Sequence, residues 1–588
     1  MKRLRIIPFL IFITIVICYA YFIHFIGVES WNATSRLDLV YSLAEQGTFR
    51  IDPYQQNTGD KVKFEGHYYS DKAPGVSLLA LPGYLFLKWL GVNSEKYMRY
   101  GLTLMVIGIP SALAGVLFYG LTGIFKDVPV RLRVVVALAY ALGTLAFPFS
   151  TVFYGHQTAA AGAIASFFIL VRLKKKIWPE RFLLLWLSGL LAGFSFLADF
   201  PAGIIMLLLA GYTLVVLRKK TGLIAWLVGA AIPVGFLFYY NNACFGSPFT
   251  SSYSLHQTYI HSAGLLGITW PKLDALWGIT FSPYRGIFYQ APVLLFAIPG
   301  FYLFYRSKKY RPEFYLALLI VLGFFFFNAG YAYWDGVGSV GARFLIPALP
   351  FLALPLVWSV RKWPGPVTVL TFLSILIMVV IVATEPRVEW KVRSPLFYYN
   401  FFLLSRGYLS DNLGNFLGLK WWSSLLPLAV ILGALLLLLG HLTAGRSWLS
   451  MRRREIMPSL GLLGMVVLWL VIAGWEEPCL QENDKAESLF RYFRGRGEVH
   501  WEEVERHYHL AIGADPRFMD PYLRLAEIAR MQGRPRLALA YYRELLANQP
   551  DSIPIRREIA RIQELMEEVE KDISSQQSLG DPGKDQGQ

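Results

Sequence analysis

The chain reads as an all-α polytopic membrane protein, a bundle of about thirteen transmembrane helices followed by an extracytoplasmic α-helical domain. Three observations predict this. Of the 588 residues, 55% are hydrophobic and 16% aromatic, too apolar for soluble domains alone. Apolar runs of about 17 residues or more, enough to cross the hydrocarbon as helices, recur from Ile6 to Trp475 and then stop. Beyond Trp475 the composition turns charged, and Pro516 and Pro550 stand 34 residues apart.

The predicted spans lie near 6–27, 98–124, 134–150, 156–172, 182–198, 200–217, 222–240, 288–305, 312–329, 344–360, 365–384, 424–444 and 457–474. Lys2, Arg3 and Arg5 precede the first, which exceeds a signal-peptide core and lacks a small-x-small site, so it reads as an uncleaved anchor. With a cytoplasmic amino terminus every second connection is basic: Lys126 to Arg133, 172–176, 218–220, 306–311, Arg361–Lys362 and 452–454. The chain is expected in the cytoplasmic (inner) membrane. The loops 28–97, 241–287, 330–343 and 385–423 and the carboxyl-terminal domain then lie outside. The net charge of +16 is largely topology signal and calls for no nucleic-acid partner. Cys18, Cys244 and Cys479 form no metal spacing or disulfide framework, although a Cys244–Cys479 bridge stays open outside the cell.

The membrane domain occupies 1–475, a helical domain 476–572 and a disordered tail 573–588. The proline spacing is the tetratricopeptide period. Tyr522, Leu525, Ala526, Ala529, Gly533, Ala538, Tyr542 and Leu545 fall where such a helix–turn–helix repeat packs, and Val504, Tyr508 and Ala511 fit a preceding second helix. This TPR-like stack either holds a protein partner or covers the membrane domain.

Chemistry concentrates in the outer loops. Asp199, in "FLADFPAG", is the clear acid at a span junction, near His156 by topology. "WNATSRLDLVYSLAEQG" (31–47) predicts a helix capped by Asn32, Thr34 or Ser35 and ended by Gly47. Leu39, Val40 and Leu43 give it an apolar flank, with Arg36, Asp38 and Glu45 toward water. Four carboxylates, Asp38, Asp52, Asp60 and Asp71, share this loop with Lys61 and Lys72. A carboxylate can deprotonate an acceptor hydroxyl, and an ammonium can neutralise a leaving phosphate. "VSLLALPGYLFLKWLG" (76–91) is apolar but short, as an interfacial or re-entrant helix would be. Arg285 in "FSPYRGIFYQAP" and Arg343 in "YWDGVGSVGARF" each carry a planar fork suited to phosphate. Trp334 and Asp335, with Gly336 and Gly338, are candidates for the wall of a site these loops share.

The uncleaved helix, the long loop with its helix, and "DKAP" (71–74) before an interfacial helix resemble the opening of the GT-C fold glycosyltransferases. In particular they resemble the protein O-mannosyltransferase and lipid A aminoarabinose transferase group. There a Glu-Lys-Pro-Pro turn stands at this place, and its lysine meets the lipid phosphate of the donor. The resemblance implies a GT-C-like bundle, a phosphate role for Lys72 and a supporting acid in Asp71. It also implies transfer of a sugar from a polyprenyl-phosphate carrier to a lipid, glycan or protein hydroxyl outside the cell, with His67, Tyr68, Tyr69, Trp334 and Asp335 lining the sugar and acceptor site. The chain departs from the family where the catalytic Asp is expected, near Asn32, because an amide is no base at neutral pH. Asp38 and Asp71 lead the replacements, ahead of Asp60 and Asp52. No cofactor or metal site is called for beyond the polyprenyl-phosphate sugar, and metal dependence stays open. Three rivals remain: an O-antigen ligase or polymerase using Arg387, Lys391, Arg393 and Arg406, a membrane scaffold presenting the repeats, and a transporter, disfavoured by the lack of mid-helix charge.

Overall fold

The computed structural model describes residues 2–24, 30–125, 128–217, 221–255, 267–444, 453–494, 500–548, 550 and 552–579. Residues 25–27 of the first predicted span, Lys126, the basic cluster 218–220, residues 256–266 of one outer loop, Arg452 and the end from 580 lie outside them. The chain forms two compact units, Met1–Gly474 and Trp475–Gln588.

The first unit is a multi-pass helical membrane domain. Among the described residues, seven helices are long and apolar enough to cross a bilayer: Glu95–Phe125, Gly155–Lys174, Gly222–Phe245, Lys308–Gly330, Pro364–Thr384, Trp421–Thr443 and Glu455–Ala473. The other predicted spans coincide with shorter or bent helices: Ile6–Tyr21, Val130–Leu142, Phe182–Ala198, Phe200–Val216, Pro292–Arg306, and the pair Arg343–Ala353 and Leu356–Lys362, bent by 50°. The bend falls where Pro355 enters the chain, a residue that cannot donate to the helical ladder.

The loop that follows the first helix is folded, and it carries an element that the all-α reading lacks. Strands Lys61–Phe64 and His67–Ser70 form an antiparallel hairpin. Its two-residue turn has Glu65 at φ 47° and Gly66 at φ 84°, the doubly left-handed geometry that matches strand twist.

The loop helix runs Trp31–Gln46 and ends at Gly47, φ 66°, whose N–H reaches the Ser42 carbonyl. Its cap position is Ser30, without a side-chain cap, so the expected caps sit inside the helix with other partners. Leu37 and Val40 pack with Val76, Ala80 and Tyr84 of the short helix Gly75–Trp89 and with Ala198. Leu39 packs with Ile51, Val62, Tyr69 and Phe245. The helix is therefore covered on two sides, and Arg36 and Asp38 are buried at 3% and 1% exposure instead of facing water; Glu45 is exposed. Gly75–Trp89 runs through Pro82 and leaves Leu79, Leu85, Phe86 and Trp89 exposed on its outer face.

In the second unit, helices Pro478–Arg494, Trp501–Ala514, Asp520–Met531, Pro535–Asn548 and Ile553–Leu579 each pack on the next in sequence. Tyr522, Ala526, Ala529, Ala538, Tyr542 and Leu545 form their core with Ile555 and Ile562. The last helix, Ile553–Leu579, runs into the predicted tail 573–588. All three cysteines are free and buried.

Candidate functional site

Lys72 is the centre of a built ion cluster. Its ammonium lies 2.8 Å from Asp60 Oδ2 and 3.1 Å from Asp71 Oδ2. Burial opposes its charge, but the two carboxylates outweigh burial and hold its pKa above the ordinary lysine value. The strand end fixes it: Lys72 N donates to Ser70 Oγ at 3.3 Å, Ser70 Oγ meets Ser35 Oγ of the loop helix at 2.7 Å, and Ser252 Oγ donates to the Asp71 carbonyl at 2.8 Å. The Tyr253 ring stands 6.0 Å from the ammonium. The hairpin thus aims Lys72 by backbone pairing on one side and two hydroxyls on the other.

Arg36 joins this centre from the loop helix. Its Nη1 donates to the Ala73 carbonyl at 2.7 Å and its Nε to Asn32 Oδ1 at 3.3 Å, while Ser77 Oγ donates to the Arg36 carbonyl at 2.8 Å. Burial pulls its pKa down, against the fields of Asp199, Asp71 and Asp60. Asn32, at the place expected of a base, serves as a hydrogen-bond acceptor for this guanidinium.

A second pair adjoins the first. His156 Nδ1 lies 2.6 Å from Asp199 Oδ2, and both side chains are nine-tenths or more buried. They meet because Gly155 starts its helix against the carbonyl of Ala198, the residue before Asp199, where a Cβ would collide. Gly75 meets the same chain end: a Cβ on it would stand 2.6 Å from the Leu197 carbonyl carbon. Arg343 lies over the rings of Tyr154 at 5.5 Å and Phe344 at 5.1 Å. Among the described residues its guanidinium makes no hydrogen bond or ion pair, and its Nε is buried without a partner. Arg343 and Lys72 both act electrostatically on the Tyr331 hydroxyl.

The remaining candidates are placed differently. Asp38 stands two residues from Arg36, a turn of about 200° around the helix. Among the described residues it receives only a 3.4 Å contact, from Asn57 Nδ2, and its Oδ2 is buried without a partner. Burial pushes its carboxyl up to about 7, Asn57 opposing. Asp52 braces the hairpin: Oδ1 accepts from Tyr68 N at 2.6 Å and Oδ2 meets His67 Nδ1 at 2.7 Å. Tyr69 is no sugar platform, because its ring is buried in the loop core, edge-on to Phe245 at 5.5 Å. Tyr68 is half-buried, with the Lys61 and Lys63 ammonium groups 5.2 and 5.6 Å from its ring.

Arg285 does not present its fork to a ligand. It is fully buried, 3.8 Å over the Tyr284 ring, and donates to the carbonyls of Asp335 and Tyr284 at 3.1 Å each. Asp335 accepts from Tyr284 OH at 3.0 Å, and Trp334 packs edge-on to Tyr284 at 6.1 Å and against Gly278. These residues staple two loops together. Arg387 is clamped by Glu385, at 2.8 and 3.1 Å. Arg36 was missed as a site residue because periodicity sets a helix face without telling what covers it. The signal for His156 and Asp199 was present: two titratable residues bordering apolar spans. Among the described residues no group of three or more His, Cys, Asp or Glu is placed to hold a metal ion.

Fold and site together define a multi-pass helical membrane protein that gathers buried charges around its first folded loop. In structure it is similar to the archaeal oligosaccharyltransferase AglB from Archaeoglobus fulgidus, solved in complex with an inhibitory peptide and a dolichol-phosphate. The identity is 14%, the match covers 87% of this chain and 59% of that one, and the TM-score is 0.36. It is also similar to the Archaeoglobus fulgidus oligosaccharyltransferase in the apo form, with 13% identity, 86% and 59% coverage and a TM-score of 0.37. The chain thus spans 59% of the length of each of these proteins. It matches no protein-family model and no curated protein.

Proposed function

We propose that this chain is an integral membrane glycosyltransferase of GT-C type. It moves a sugar from a polyprenyl-phosphate donor to a lipid, glycan or protein acceptor on the outer face of the cytoplasmic membrane, and its TPR-like unit offers a surface for a protein partner. One observation carries the reading: Arg343, a guanidinium without hydrogen bond or ion pair among the described residues, shares its surroundings with the positioned ammonium of Lys72. A cation that the protein builds in and leaves unneutralised suits an anion from outside. A carrier phosphate at the membrane surface fits that need, its tail remaining in the bilayer. Asp60 and Asp71 hold Lys72 in place, and the half-buried Tyr68 and His67 are the sugar-facing groups. Catalysis then rests on position and charge.

The test is transfer from radiolabelled undecaprenyl-phosphate sugars to total envelope acceptors by the purified protein. Transfer lost in Lys72→Ala and Arg343→Ala, and kept when residues 476–588 are removed, supports the reading. Absence of transfer with every donor, together with normal cellular function of both variants, sinks it.

A further inference from the structure

The transfer needs a proton acceptor, and the first loop does not supply a good one. Asn32 is an amide engaged by Arg36. Asp60 and Asp71 are both engaged by the Lys72 ammonium, at 2.8 and 3.1 Å. Asp52 is taken by the hairpin, and Asp38 faces away from Arg36 on the loop helix.

His156 differs from all of these. Its Nδ1 is bound to Asp199 at 2.6 Å, an arrangement that keeps the proton on Nδ1 and the lone pair on Nε2. Among the described residues Nε2 is buried without a hydrogen-bond partner. The imidazole is flanked by the rings of Phe149, Tyr154 and Phe344, at centroid distances of 6.3, 6.1 and 5.7 Å. Two of these rings, Tyr154 and Phe344, are the ones over which Arg343 lies. The imidazole and the Arg343 guanidinium thus pack against the same two rings.

Resting on the glycosyltransferase reading, we propose that His156, oriented by Asp199, is the general base that takes the proton of the acceptor hydroxyl. As the acceptor oxygen bonds to the anomeric carbon, its proton passes to Nε2. The bond from that carbon to the phosphate oxygen breaks, and its electron pair leaves on polyprenyl phosphate beside Arg343 and Lys72. Asp199, bound at Nδ1, stabilises the imidazolium that forms.

The full-length protein in detergent provides the test, with two separate measurements: binding of undecaprenyl phosphate and transfer from an undecaprenyl-phosphate hexose. His156→Gln and Asp199→Asn are expected to bind the carrier within about twofold of wild type, while transfer by His156→Gln falls by roughly 10²- to 10⁴-fold. Added imidazole should restore transfer to His156→Ala, a rescue that a merely structural histidine would not show. Wild-type transfer should fall on the acid side, and Asp199→Asn should move that limb. The groups facing the imidazole across this range are Asp199, Arg36, Arg343 and Tyr154. Unchanged transfer in His156→Gln overturns the base and leaves the glycosyltransferase reading standing. If that variant fails to fold, unchanged transfer and an unmoved acid limb in Asp199→Asn overturn it equally. A wild type that neither transfers nor binds undecaprenyl phosphate better than Arg343→Ala overturns both.

Discussion

Removing the Lys72 ammonium leaves Asp60 and Asp71 facing one another with no cation between them. Breaking such a buried pair costs about 3–5 kcal/mol. Lys72→Ala should therefore lower the thermal midpoint in detergent as well as abolish carrier binding, whereas Lys72→Arg should recover much of the midpoint. Asp38 gives the opposite sign. Its carboxyl is pushed up to about 7 in the fold, above the ordinary value near 4, so the protonated form favours the folded state. That contribution is full below the unfolded pKa and is lost as pH rises toward 7. Asp38→Asn, a permanent stand-in for the neutral acid, should raise the thermal midpoint at pH 8 and change it little at pH 4. At this scale Lys72 was legible, since its neighbours Asp71, Ala73 and Pro74 fix a turn. Arg36 and Asp38 were not, because their burial depends on a hairpin and a helix that close over them from elsewhere in the chain.

The hairpin itself was hidden by its brevity. Strands of four residues in "KVKFEGHYYS" give alternation too little length to stand out, and Glu65-Gly66 is a less common turn pair than Asn-Gly. Gly66 at φ 84° predicts its own test: Gly66→Val should cost about 1–2 kcal/mol and hasten proteolysis within the first loop. Gly155 has a different constraint. A methyl group there must push its helix off Ala198 and draw His156 away from Asp199. Gly155→Ala should reduce transfer strongly while carrier binding persists, separating the two pairs of the site by a single substitution. Among the helices, composition located the apolar segments well. It missed the 50° break between Arg343–Ala353 and Leu356–Lys362, because hydropathy is blind to Pro355.

For the whole molecule, the division at Gly474 and Trp475 predicts that the first unit keeps its packing without the second. Protein ending at residue 475 should bind undecaprenyl phosphate as the full chain does, measured by the carrier's effect on the thermal midpoint. The composition turns from apolar to charged at this boundary, and Tyr522, Ala526, Ala538 and Tyr542 are buried together in the second unit. The grouping of loops around Arg343 was less readable, since residues far apart in sequence assemble it.

Within this site Asp60 and Asp71 hold the Lys72 ammonium and Asp199 holds His156, while Arg343 has no counter-ion among the described residues. Under the proposed reaction the donor, a phosphodiester, brings one negative charge, while the departing carrier, a monoester, brings about −1.5 to −2 at neutral pH. The same cations therefore grip the spent carrier more firmly than the loaded one. Turnover at saturating donor should be limited by escape of the carrier, and added salt should quicken it there while weakening capture at low donor.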